Sequence, residues 1–164
     1  MNRKRIYLCL AHMSGNEMKY IQDAFDTNWV VPLGPNVNGF EKDLESFVGQ
    51  DKKVIALSAG TAAVHLALLD CDVKAGDEVL VQSFTFCASS NPIKYLGAKP
   101  VFVDSEKETW NMDPQLLDKA IADRIEKTGK KPKAIIVVYL YGMPAKIDEI
   151  LQVANKYDIP LIED

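Results

Sequence analysis

Residues 54–104 read VIALSAGTAAVHLALLDCDVKAGDEVLVQSFTFCASSNPIKYLGAKPVFVD, and three short apolar runs inside this stretch decide the fold. Val54-Ile55-Ala56-Leu57-Ser58, Glu78-Val79-Leu80-Val81-Gln82 and Pro100-Val101-Phe102-Val103-Asp104 are strand-length with two β-branched residues each, and amphipathic stretches separate them. Strand, crossover helix and strand in succession predict a mainly parallel sheet. The runs are almost continuously apolar, as strands covered on both faces are. Two more follow, Ala134-Ile135-Ile136-Val137-Val138-Tyr139 and Pro160-Leu161-Ile162-Glu163. Between the runs, the spacing predicts helices over residues 61–69, 89–96, 114–127 and 147–157. Asp113-Pro114 supplies an N-cap with proline at the first helical position, and Gly76-Asp77 and Gly97-Ala98 part a helix from the strand after it.

Ahead of the sheet, Ser14-Gly15-Asn16-Glu17 reads as a capping box opening a helix with Met18, Ile21, Phe25 and Trp29 on one face. A second helix over residues 37–48 carries Phe40, Leu44 and Phe47 at helical spacing. The joining segment Trp29-Val30-Val31-Pro32-Leu33-Gly34-Pro35 is apolar and proline-rich, which predicts a docked loop and not a solvated linker. The expected organisation is a helical arm and loop over residues 1–50, followed by a sheet domain over residues 51–164.

The 164 residues, 48% hydrophobic and 26% charged, suffice for a packed core. A formal net charge of -4 supplies no basic field for a nucleic-acid backbone, so no such partner is expected. The basic start Met1-Asn2-Arg3-Lys4-Arg5 precedes an apolar run, residues 6–11, too short for a secretion signal, and no stretch could span a membrane. Cys9, Cys71 and Cys87 are an odd number without a CxxC pair, which argues for a reducing compartment and against a disulfide framework or zinc site. A cytoplasmic protein is expected.

In an open parallel sheet, ligands sit beyond the C-terminal strand ends. After the first run, Ser58-Ala59-Gly60-Thr61-Ala62 combines small residues with the start of a helix, whose free N–H groups and dipole suit an anion such as a phosphate. The plain alternative is a tight strand-to-helix turn. After the second run, Phe86 could lay its ring on a flat ligand, or could be an ordinary core residue. After the last run, Asp164 could hold a proton on a pyridine nitrogen, or could be a helix N-cap. Together they offer fixings for the phosphate tail, ring face and ring nitrogen of pyridoxal 5'-phosphate. With His12 and His65 the only histidines, a metal cluster is not expected, and His65 reads most simply as a core residue.

The segments Met13-Ser14-Gly15-Asn16-Glu17, Pro32-Leu33-Gly34-Pro35, Phe40-Glu41, residues 58–68, Gly76-Asp77-Glu78-Val79, Ser83-Phe84-Thr85-Phe86, residues 96–104, Leu140-Tyr141-Gly142 and Ile162-Glu163-Asp164 stand in an order that resembles the DegT/DnrJ/EryC1/StrS family of sugar aminotransferases. The opening segment and Pro32-Leu33-Gly34-Pro35 are most similar to enzymes that form UDP-4-amino-6-deoxy-N-acetyl-hexosamines of the bacillosamine type. The resemblance implies a three-layer α/β domain of the fold-type-I aminotransferases, usually homodimeric. It also implies transfer of an amino group, from glutamate, to a 4-keto-6-deoxy nucleotide sugar. Gly60, Thr61 and Ala62 would hold the cofactor phosphate, Phe86 would stack on the ring and Asp164 would pair with its nitrogen. Leu33, Gly34 and Pro35 would border the sugar. Tyr139 departs from the family's pattern, in which histidine often precedes Leu-Tyr-Gly. The family's Schiff-base lysine falls beyond residue 164, so the expectation is a truncated protein, inactive by itself. A sugar dehydratase, in which histidine replaces that lysine, and a non-catalytic binding or regulatory module are the competing expectations.

Overall fold

A computed structural model describes residues 4–7, 10–49 and 51–164. Cys9, with part of the apolar run at residues 6–11 and of the basic start, lies outside the described residues. The chain divides into two compact units, Met1–Ala56 and Leu57–Asp164.

In the N-terminal unit, α1 spans Glu17–Asp26 and α2 spans Pro35–Val48. The capping box forms in altered register. Glu17 reaches back to accept from the Ser14 and Gly15 amides at 2.6 and 2.9 Å, but Asn16, not Ser14, is the N-cap. The Ser14 hydroxyl instead accepts from the Asn16 amide. Neither helix buries a residue, and Met18, Ile21, Phe25 and Trp29 are all exposed. In the connecting segment, expected to be a docked loop, Val30, Val31 and Leu33 are exposed within the N-terminal unit, and Gly34 alone is buried.

The expected first strand, Val54-Ile55-Ala56-Leu57-Ser58, is not a strand. Its amides have other partners. The Val54 and Ala56 N–H groups donate to the Glu45 and Glu41 carboxylates of α2, at 3.3 and 2.8 Å, in place of a ladder.

The C-terminal unit is the predicted α/β sandwich. Helix α3 (Gly60–Asp70) precedes β1 (Glu78–Gln82), α4 (Asn91–Tyr95) joins β1 to β2 (Lys99–Val103), α5 (Pro114–Thr128) leads to β3 (Ala134–Val137), and α6 (Ile147–Tyr157) leads to β4 (Leu161–Glu163). The four strands are parallel in the order β2-β1-β3-β4, with Val79 opposite Pro100 and Ala134, and Ile136 opposite Ile162. Alternate residues feed two cores. Leu80, Ile135 and Val137 pack with Leu117, Ile121, Ile150 and Ala154 on the α5 and α6 side. Val79, Val81, Ile136 and Ile162 pack with Val64, Leu68 and Ile93 on the α3 and α4 side.

The strongest local signals are realised as helix boundaries. Asp113 accepts from the Gln115 and Leu116 amides, Pro114 opens α5, and Gly129 closes it in the left-handed conformation. Gly97 also needs its identity, because with φ +73° it lies so close to Ala75 that an added Cβ would come within 3.0 Å. The expected continuous helix over residues 89–96 is broken into a 3-10 turn, Cys87–Ser89, and the short α4. Pro92 explains the break, since it can start a helix but disfavours helical continuation through the residues before it.

Candidate cofactor site at the strand ends

The chain leaves β1 toward β2 on one side and leaves β3 toward β4 on the other. These neighbouring strands therefore form a topological switch point, where connections diverge and a crevice opens above the C-terminal ends. Because α3 runs back before β1 in a parallel layer, its N-terminus lies at that same edge.

The start of α3 has no side-chain cap. Among the described residues no acceptor meets the Gly60 and Thr61 amides or the Thr61 hydroxyl, and a Cβ built on Gly60 would meet nothing within 4 Å. The Ala62 amide is already engaged, donating to the Ala59 carbonyl at 3.0 Å. This turn is open, uncharged and lined with small residues, which fits a phosphate group.

Phe86 is 77% exposed, so it is not the core phenylalanine that base rates favour. His65 is half-buried and meets Tyr95 edge to face, with ring centroids 5.9 Å apart.

Asp164 continues the β3–β4 pairing beyond the last strand residue. Its amide donates to the Val137 carbonyl at 2.9 Å, and its own carbonyl accepts from the Tyr139 amide at 3.0 Å. Its carboxylate accepts from the Ser89 hydroxyl at 2.6 Å through Oδ2. Oδ1 accepts from no described residue. An exposed carboxylate with one oxygen tied and one free suits a protonated ring nitrogen.

The sequence reading did not single out Ser89, which is 2% exposed in the 3-10 turn after Phe86. It also missed a buried network beneath the crevice. Gln82 Nε2 donates to the Phe84 carbonyl at 2.9 Å and to Asn111 Oδ1 at 3.3 Å, while Gln82 Oε1 accepts from the Met112 amide at 3.0 Å. Asn111 in turn donates to the Met143 carbonyl and accepts from the Leu140 amide. A polar residue ending an apolar run was the available signal. Tyr139 donates its hydroxyl to Glu163. Burial, then this hydrogen bond and the Glu163 charge, push the Tyr139 phenol up to about 12, so it is a proton donor at neutral pH.

Leu33, Gly34 and Pro35 belong to the N-terminal unit. Gly34 is the N-cap of α2 with φ +136°, and a Cβ there would come within 3.1 Å of the Trp29 ring, while Pro35 occupies the first turn. Two hollows of the C-terminal unit lie between α5 and α6 and, at the C-terminal ends of β1 and β2, among Ser83, Phe84, Asp104 and Trp110. No group of residues suited to a metal ion occurs among the described residues, and no described helix is long and apolar enough to cross a membrane.

Comparison with known proteins shows what the chain is similar to. The profile of the DegT/DnrJ/EryC1/StrS aminotransferase family matches residues 11–164. EpsN of Bacillus subtilis, a candidate pyridoxal phosphate-dependent aminotransferase, is 52% identical over 98% of this chain and 41% of its own length. GDP-perosamine synthase of Caulobacter vibrioides is 39% identical over the same shares. The chain thus spans about two fifths of these relatives. Among solved structures, an aminotransferase from Psychrobacter cryohalolentis superposes with a TM-score of 0.80 at 31% identity, covering 93% of this chain and 37% of that one. A sugar aminotransferase fold from Streptococcus pneumoniae has been solved in its pyridoxal phosphate form, and NtdA from Bacillus subtilis with pyridoxamine phosphate bound.

Proposed function

This chain belongs to the DegT/DnrJ/EryC1/StrS aminotransferase family, and we propose that the complete gene product transfers an amino group from glutamate to a 4-keto-6-deoxy nucleotide sugar, UDP-linked, in amino-sugar biosynthesis for a glycan or polysaccharide. The observation that carries the reading is the Asp164 carboxylate, tied by Ser89 through Oδ2 and open at Oδ1; the uncapped small-residue start of α3 and the exposed Phe86 support it.

Pyridoxal 5'-phosphate supplies, when bound, an electron sink for the amino-group carbon of the donor. This chain's residues hold it. Gly60, Thr61 and Ala62 would hold the phosphate at the first turn of α3, where the Gly60 and Thr61 amides and the Thr61 hydroxyl are the open donors among the described residues. Phe86 covers one ring face, and Asp164 keeps a proton on the ring nitrogen. Leu33, Gly34 and Pro35 contribute to sugar binding. Residues 1–50 act as an arm and residues 51–164 as the first part of the cofactor-binding large domain. The protein works in the cytoplasm as a homodimer.

The names of the relatives support the substrate class. They include GDP-perosamine synthases, a UDP-2-acetamido-2-deoxy-3-oxo-D-glucuronate aminotransferase of Pseudomonas aeruginosa and the spore coat polysaccharide biosynthesis protein SpsC of Bacillus subtilis. The test is an absorbance titration of the complete gene product with pyridoxal phosphate, followed by glutamate and then a UDP-4-keto-6-deoxy sugar. A visible band that glutamate bleaches and the keto sugar restores is the expected result. A protein that develops no such band is not an aminotransferase of this kind.

A further inference from the structure

Asp164 is fixed twice, and only one of the two fixings is backbone. The ladder to Val137 and Tyr139 sets the position of its Cα, but leaves the carboxylate free to rotate on an exposed edge. Ser89 removes that freedom. It lies 75 residues away in sequence, is 2% exposed, and places its hydroxyl 2.6 Å from Asp164 Oδ2.

The direction of the bonds follows from proton counting. An ionised carboxylate only accepts, so the single Ser89 proton is committed to Asp164. Ser89 Oγ also lies 3.1 Å from Thr85 Oγ1, where either oxygen could be the donor. With the serine proton already used, the threonine must donate. Thr85, Ser89 and Asp164 therefore form a one-way relay from the loop after β1 to the end of β4. The Ser89 amide, donating to the Phe86 carbonyl at 3.1 Å, anchors the relay to the residue placed for the ring face.

We infer that Ser89 is a positioning residue for the cofactor: its hydroxyl, oriented by Thr85, occupies Asp164 Oδ2 and so presents Oδ1 to the protonated ring nitrogen. This rests on the cofactor reading proposed above. Without the hydroxyl, the carboxylate turns into solvent and the ring nitrogen loses an aligned partner. The phosphate and ring-face contacts do not involve the relay.

The experiment compares two ligands on the complete gene product, pyridoxamine 5'-phosphate and its analogue with C–H in place of the ring nitrogen, by fluorescence titration. Neither requires covalent attachment. The ratio of their dissociation constants isolates the nitrogen contact. Ser89→Ala is expected to lower the preference for the nitrogen-bearing ligand about tenfold, the size of a hydrogen bond to a charged group, with little change for the analogue. Ser89→Thr, which keeps the hydroxyl, restores the preference, and Thr85→Val gives a smaller loss, about threefold.

Equal weakening of both ligands in Ser89→Ala would show a merely structural role and overturn the inference, as would an unchanged ratio. Should Ser89→Ala not fold, Thr85→Val decides alone, and an unchanged ratio there overturns the relay. Wild-type protein that binds both ligands equally would instead overturn the role of Asp164, and wild-type protein that binds neither would overturn the cofactor site itself.

Discussion

Helix α2 sets Phe40, Leu44 and Phe47 along one face and buries none of them, with Phe47 86% exposed. Helix α6 has the same kind of pattern and buries Ile150 and Ala154 fully against the sheet. Both sequences predict helices, and both helices form. The contrast shows that periodicity reports an apolar face and says nothing of what covers it. In the C-terminal unit, β-strands buried on both sides provide the cover. Among the described residues of the N-terminal unit, the buried set contains a single glycine and no side chain.

The sharpest way to break this contrast is to delete side chains on each side of it. Ile135→Ala, at the fully buried centre of β3, should lower unfolding free energy by about 3–4 kcal/mol in chemical denaturation. Gln82→Leu should cost about 2–3 kcal/mol, because it strands the Met112 amide and the Asn111 side chain in the buried network.

Acid offers a milder probe. Glu106 accepts from the Thr109 hydroxyl and from the Glu108 and Thr109 amides, beside Lys146, and these contacts hold its carboxyl at about 2 against an ordinary 4.5. A depressed folded-state value means that the stabilisation is complete above about pH 4.5 and is lost as pH falls through about 2. Thermal melts of the wild type and Glu106→Gln should therefore differ most at neutral pH and converge toward pH 2. A constant gap would remove the ionised carboxylate as the cause.

The smallest effect is expected in α2. Phe40→Ala should change stability by less than about 0.5 kcal/mol, because the ring is already 55% exposed. A loss approaching that of Ile135→Ala would mean the face is covered in solution.

Legibility followed the range of the interactions. Helix α6 ends where its spacing says, and Asp113-Pro114 caps α5, because caps and periodicity act within a few residues. Val54-Ile55-Ala56-Leu57-Ser58 was misread because its composition is strand-like while its amides go to Glu41 and Glu45, an outcome set by how α2 lies beside it. At the candidate site, Gly60, Thr61, Phe86 and Asp164 are expectations drawn from their places after apolar runs. Ser89 could not be named in that way. Its neighbour Ser90 is chemically identical, yet turns its hydroxyl back to the Cys87 carbonyl, and only the 3-10 turn before Pro92 tells the two apart.

The Gln82 network has a consequence for how the crevice can diversify. Of the groups that meet this amide, the Phe84 carbonyl and the Met112 and Val138 amides are main-chain atoms, which every residue other than proline supplies. The loops above the sheet are therefore tethered without regard to the side chains they display. Replacement at the exposed position 84 leaves the tether standing, whereas replacement at 82 releases three segments at once. One glutamine works as a keystone, and the surface around it can be rewritten for a new ligand while the loops stay in place.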